Sequence, residues 1–96
     1  MKPSEALHSH RDAIRQVVHT YRARNARVFG SVVRGADTDQ SDLDLLVDPT
    51  ADTSLLDIGA MRYELHKLLG VPVDVVTPNA LPAKFRAAVI AEAQPV

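Results

Sequence analysis

Arg27-Val28-Phe29-Gly30-Ser31-Val32-Val33-Arg34-Gly35, followed after a polar loop by Ser41-Asp42-Leu43-Asp44-Leu45-Leu46-Val47, is the stretch that decides how this chain folds. Arg27-Val28-Phe29 is a short run ending on Gly30, which predicts a brief buried strand entering a turn. Ser31 to Arg34 have the length of one helical turn. Gly35-Ala36-Asp37-Thr38-Asp39-Gln40-Ser41 is rich in turn formers and predicts an exposed loop. Leu43 to Val47 predicts a second strand, stopped by Asp48-Pro49.

Working outward, Leu7, Ile14, Val17, Val18 and Tyr21 recur at helical spacing and predict one helix from about Ser4 to Arg24, with Ser4 as its N-cap. Downstream, Ser54-Leu55-Leu56-Asp57 has the form of a capping box with Asp in place of Glu. The helix behind it carries Ile58, Met61, Leu65, Leu68 and Leu69 on one face, and Gly70 is placed to end it. Val73-Asp74-Val75-Val76 predicts a third strand, closed by Thr77-Pro78. Leu81 to Ala93 predicts a final amphipathic helix with Phe85, Val89 and Ile90 turned inward. The order of elements predicts one α/β (α+β) domain over residues 1–96, with helices flanking a small mixed three-stranded sheet.

Composition bounds the function. With 96 residues, 46% of them apolar and two Phe, two Tyr and no Trp, the core is small and aliphatic. A formal net charge of −1 lacks the basic surface that holds long nucleic acids, and so disfavours such a partner. Small phosphorylated ligands need only local donors and metal, and stay compatible. The absence of cysteine excludes disulfides and thiolate metal sites. No signal peptide follows Met1, and no run approaches the ~18–20 apolar residues that span a bilayer. The chain is expected to be soluble and cytoplasmic, with no membrane partner.

The acidic residues carry the chemistry. Asp42 and Asp44 stand two apart at the start of a strand, so both carboxylates project from one face. Like charges held side by side favour a cation between them, and Mg²⁺ takes a few carboxylates together with substrate phosphates and water. Asp74 interrupts an apolar strand and joins the pair if that strand lies beside the second. Three carboxylates can hold two metal ions around an in-line phosphoryl displacement. Taken alone, Asp42 and Asp44 read more readily as solvated turn or capping residues, and Asp74 as half of an ion pair with an Arg at a sheet edge.

Gly30-Ser31 opens a helical turn after a strand, where backbone amides and a hydroxyl favour phosphate. Arg34, one turn on, reaches either a phosphate or an acidic residue. A Gly-Ser pair is also a common β-to-α turn, and a lone Arg is usually a surface or ion-pairing residue. His8, His10, His19 and His66 have no metal-ligand spacing, and Asp37, Asp39 and Asp48 read as loop charge.

In combination, Gly30-Ser31, Arg34-Gly35, Ser41-Asp42-Leu43-Asp44-Leu45 and the distal Asp74 resemble the nucleotidyltransferase superfamily typified by DNA polymerase β. The resemblance implies that Gly30 and Ser31 form the triphosphate-binding turn, with Arg34 at the family's Arg position. It further implies that Asp42, Asp44 and Asp74 are catalytic metal ligands for two Mg²⁺ ions, with Asp74 also helping to activate the acceptor hydroxyl. ATP is the donor implied. The motif leaves no residues for an acceptor-binding domain, so the chain is most similar to the stand-alone minimal nucleotidyltransferases. These are paired with HEPN-domain toxins in prokaryotic toxin–antitoxin modules. The resemblance therefore implies an antitoxin in a hetero-oligomer, transferring AMP to a toxin tyrosine. The competing expectation is a non-catalytic antitoxin that neutralises its partner by occlusion.

Overall fold

Leu43, Leu45, Leu46 and Val47 are wholly buried, and the strand that carries them, β2 (Leu43–Pro49), lies inside the sheet. The computed structural model describes all residues, 1–96. The chain runs α1 (Pro3–Ser9), α2 (Arg11–Thr20), β1 (Ala23–Phe29), a 3₁₀ turn (Gly30–Val32), β2, α3 (Leu55–Leu69), β3 (Val73–Val76), a second 3₁₀ turn (Pro78–Ala80), α4 (Ala83–Glu92) and β4 (Gln94–Pro95). The sheet order is β3-β2-β1-β4. β1 pairs antiparallel with β2 and β4, whereas β2 and β3 are parallel.

The parallel pair follows from α3. Parallel neighbours need a crossover of a dozen or more residues, and the 15-residue helix between β2 and β3 supplies it. The helix is delimited as its sequence predicts. The Ser54 amide donates to Asp57 Oδ2 at 2.9 Å, and the Asp57 amide donates to Ser54 Oγ at 3.2 Å. Gly70 closes it in the left-handed conformation, at φ +73°. Ile58, Met61, Leu65 and Leu69 turn to the core, but Leu68 falls off that stripe and is exposed.

One face of β2 presents Leu43, Leu45 and Val47. They pack with Leu7 of α1, Ile14 and Val18 of α2, and Met61 and Leu65 of α3. The other face presents Asp44, Leu46 and Asp48. The helical core therefore lies behind the sheet and the acidic residues in front of it.

Five local expectations are corrected. The N-terminal helix is two helices, because His10 leaves helical geometry at φ −132° and its ring Nδ1 bonds the Ala6 carbonyl at 3.1 Å. That carbonyl would otherwise accept the His10 amide, which bonds Leu7 O instead. Ser4 is not the N-cap. The helix starts one residue earlier, and Asp37 Oδ2 accepts the Ser4 amide at 2.8 Å from across the fold. That bond lowers the Asp37 carboxyl below its ordinary range, so this loop acid has a structural role.

β1 starts at Ala23 rather than Arg27, because a bulge at Asn25 (φ +55°) shifts the register between Arg24 and Arg27 and hides the alternation. The sheet gains a fourth strand where Gln94 and Pro95 pair with Val28 and Arg27. Proline is tolerated there because β4 is an edge. Finally, α4 buries none of its residues, and Phe85 and Ile90 are 54% and 41% exposed. The core behind the sheet is already filled by α1–α3. Arg86 instead anchors α4, donating to the carbonyls of Pro78 at 2.8 Å and Leu81 at 3.0 Å.

Candidate active site

The register sets Phe29, Asp44 and Asp74 side by side in a row across three strands. Phe29 at the end of β1 is opposite Asp44 of β2, and Asp44 is opposite Asp74 of β3. Asp42 precedes β2 and lies on the Asp44 side by alternation. The following amide, Leu43 N–H, is pinned to Pro72 O at 2.9 Å. Asp42 is exposed, while Asp44 and Asp74 are half-buried. None of the three forms an ion pair with an arginine or lysine.

Gly30 follows the row's first member, and its lack of a side chain has a local reason. A Cβ built there would stand 2.4 Å from Asp44 Oδ2, and φ is +78°. Glycine is what lets the Asp44 carboxylate lie against the turn. The turn is then closed by Arg34 N–H to Gly30 O at 3.3 Å and Ala36 N–H to Ser31 O at 2.9 Å. The Ser31 hydroxyl makes no hydrogen bond within the protein, which leaves it free for a ligand.

Burial, then the charges of Asp74 and Asp42, push the Asp44 carboxyl up to about 6; Arg34 opposes this and Glu92 adds to it. A divalent cation offsets such repulsion, and a set of oxygen donors alone fits Mg²⁺. No three carboxylate, histidine or cysteine side chains close into a ready-made cage. An ion held by these residues would draw its remaining ligands from phosphate oxygens and water. An open pocket of about 330 Å³ lies beside Asp42, lined also by Arg62, Tyr63 and His66. A larger one of about 560 Å³, between α2 and β1, includes none of the row.

The nucleotidyltransferase domain family matches residues 10–96. This chain belongs to it. As a nucleotidyltransferase domain it has relatives in archaea. It is 35% identical over 86 residues to the protein adenylyltransferase MntA of Thermococcus cleftensis, covering 90% of this chain and 84% of that protein. It is 37% identical over 70 residues to a candidate protein adenylyltransferase of Methanocaldococcus jannaschii, covering 73% and 75%. The solved structure of a candidate minimal nucleotidyltransferase superposes with a TM-score of 0.87 at 40% identity, over 97% of this chain and 95% of that one. A toxin–antitoxin crystallised with AMP-PNP shares the fold, with a TM-score of 0.75 at 17% identity, over 88% and 69% of the chains.

Sequence reasoning missed Glu92. Its carboxylate accepts from Gly30 N–H at 3.2 Å and from Arg34 Nη1 at 2.7 Å, across 62 and 58 residues. One signal was present in the sequence. A glutamate in the last turn of a helix opposes the helix dipole, which marks a residue held there by something else.

Proposed function

We propose that this nucleotidyltransferase moves AMP from Mg-ATP to a hydroxyl of a partner protein, a tyrosine of a HEPN-domain toxin, and so acts as an antitoxin. The observation that carries the reading is that Asp44 of β2 lies between the Gly30 turn, which follows β1, and Asp74 of β3. An in-line displacement puts the leaving group and the attacking oxygen on opposite sides of the α-phosphorus. The Gly30-Ser31 turn lies on the β1 side of Asp44 and Asp74 on the β3 side, which suits that geometry. The relatives named protein adenylyltransferases support a protein acceptor, and the neighbour holding AMP-PNP supports an adenine nucleotide.

The residues divide the work. Gly30 N–H, Ser31 Oγ–H and the Arg34 guanidinium donate to the β- and γ-phosphates. Asp42, Asp44 and Asp74 would hold Mg²⁺, which when bound offsets the charge of the triphosphate and of the leaving pyrophosphate. Asp74 accepts the proton as the acceptor oxygen bonds to the α-phosphorus and the bond to the β-phosphate oxygen breaks. The open pocket beside Asp42 lies toward α3 and the start of β3 and includes neither Asp44 nor Asp74.

The test is co-expression with the genomic neighbour, followed by intact-mass measurement of that partner. The expected result is a gain of one AMP with wild type and none with Asp42→Asn. A partner bound tightly and silenced, but unmodified, is the result that selects neutralisation by occlusion instead.

Phosphate binding has its own check. Ser31→Ala is expected to weaken Mg-ATP binding about tenfold or more, since a hydrogen bond to a charged group is lost. Stability should be unchanged, because the hydroxyl has no partner in the protein. Equal affinity in calorimetry returns Ser31 to the role of an ordinary turn residue.

A further inference from the structure

We propose that Glu92 is an internal competitor for the nucleotide, a carboxylate that occupies phosphate-binding donors and must leave before a triphosphate can use them. The inference rests on the reading that Gly30 and Arg34 meet phosphate.

Its basis is geometric. Both oxygens of the Glu92 carboxylate are engaged, Oε2 by the Gly30 amide at 3.2 Å and Oε1 by Arg34 Nη1 at 2.7 Å. An amide at the head of a turn together with a guanidinium is the donor set that recognises a phosphate group. The side chain is only 24% exposed, so it is seated in the site rather than lying over it. The Gly30 amide has a single proton, and a phosphate oxygen can take it only when Glu92 lets go. Arg34 can turn to a phosphate, but a carboxylate left beside it would repel the incoming polyanion.

Permanent positioning is the competing role, and the surroundings argue against it. Asp42, Asp44 and Asp74 already give this side of the sheet three acidic residues, and Glu92 adds a fourth. Glu92 is also the last residue of α4, where the helix dipole disfavours a negative charge. Two donors hold it there while no phosphate competes. Release has a defined path. Ala93 leads directly into β4, which pairs with Val28 and Arg27, and Val96 is buried beyond it. With the chain tethered on that side, Glu92 leaves by turning its side chain or by unwinding the last turn of α4. Nucleotide occupancy is thereby tied to the end of α4, the helix whose Phe85 and Ile90 are uncovered.

The experiment compares wild type, Glu92→Gln and Glu92→Asp for Mg-ATP affinity by calorimetry and for thermal midpoint with and without Mg-ATP. Glu92→Gln keeps the size and removes the charge. It is expected to bind Mg-ATP about tenfold more tightly, the change that follows when one charge-assisted contact no longer competes. Its ligand-free midpoint should fall while its nucleotide-bound midpoint matches wild type, because the contact exists only in the free protein. Glu92→Asp, too short to reach both donors, should lie between. Equal or weaker binding by a folded Glu92→Gln protein, with wild type binding normally, overturns the competitor. Absence of binding in all three proteins overturns the nucleotide site itself, and the competitor with it.

Discussion

Asp44→Asn is expected to reduce nucleotidyl transfer at least about a thousandfold while making the ligand-free protein more stable at neutral pH. The two effects share one cause. Asp44 sits half-buried among Asp74, Asp42 and Glu92, and its carboxyl is pushed up to about 6 against an ordinary value of 3.8. A group whose folded value lies above its unfolded value binds its proton more tightly in the folded state. Below about pH 3.8 the group is neutral in both states and costs nothing. As pH rises toward 6 the unfolded chain ionises first, and stability falls. Above that the full penalty is present, on the order of 1 kcal/mol once solvent screening of a half-exposed group is allowed for.

Asparagine removes the penalty together with the charge proposed to hold Mg²⁺. The variant's midpoint should therefore exceed wild type by roughly 4–8 °C at pH 7. That difference should shrink steadily as the pH is lowered toward 4. The measurement is a pair of melting curves at several pH values, beside a transfer assay. A variant that loses stability at pH 7, or keeps transfer near the wild-type rate, removes Asp44 from the centre of the site.

What the sequence made legible, and what it hid, divides along physical lines. β2, α3 and β3 are readable because their signals are local. Leu43 to Val47 is a nearly unbroken apolar run, Ser54 and Asp57 form their bonds within one turn, and Gly70 adopts the left-handed geometry its position requires. The carboxylates are readable as residue types at a spacing. Their meeting is not, because the register that sets Asp44 opposite Asp74 depends on how the α3 crossover returns.

The misread parts depend on long-range partners. β4 is two residues long and includes a proline, and it is a strand only because the edge of β1 is available. The outward aspect of α4 depends on other helices having already filled the core. Glu92 follows from the same misreading. A helix expected to close the core instead stands at the front of the sheet, where its last residue meets the Gly30 turn. The break at His10 is local, but it needs a ring nitrogen to capture the Ala6 carbonyl, and hydrophobic periodicity does not report that.

Gly30→Ala is expected to cost more in transfer than in stability, and the contrast between the two tests the whole row. The backbone at Gly30 has φ +78°, a conformation that costs an L-residue about 1–2 kcal/mol. The new methyl group also falls 2.4 Å from Asp44 Oδ2, far inside contact distance. The clashing atom is the end of a flexible side chain, so the fold relieves the overlap by swinging the Asp44 carboxylate away from the turn. Stability then falls by little more than the backbone strain, and that movement even eases the crowding among the carboxylates. Transfer is expected to fall by about a hundredfold or more, since misplacing a positioning group by an ångström is enough for that. The partner change that isolates the steric term is Asp44→Ala. In that background Gly30→Ala meets no carboxylate, and only the strain should remain. A double-mutant cycle on stability should therefore give a small coupling between the two positions. The corresponding cycle on transfer should be strongly non-additive, because either single change already disables the same group. Full activity in the Gly30→Ala protein would show that the carboxylate need not lie against the turn, and the row would lose its claim to be the catalytic centre.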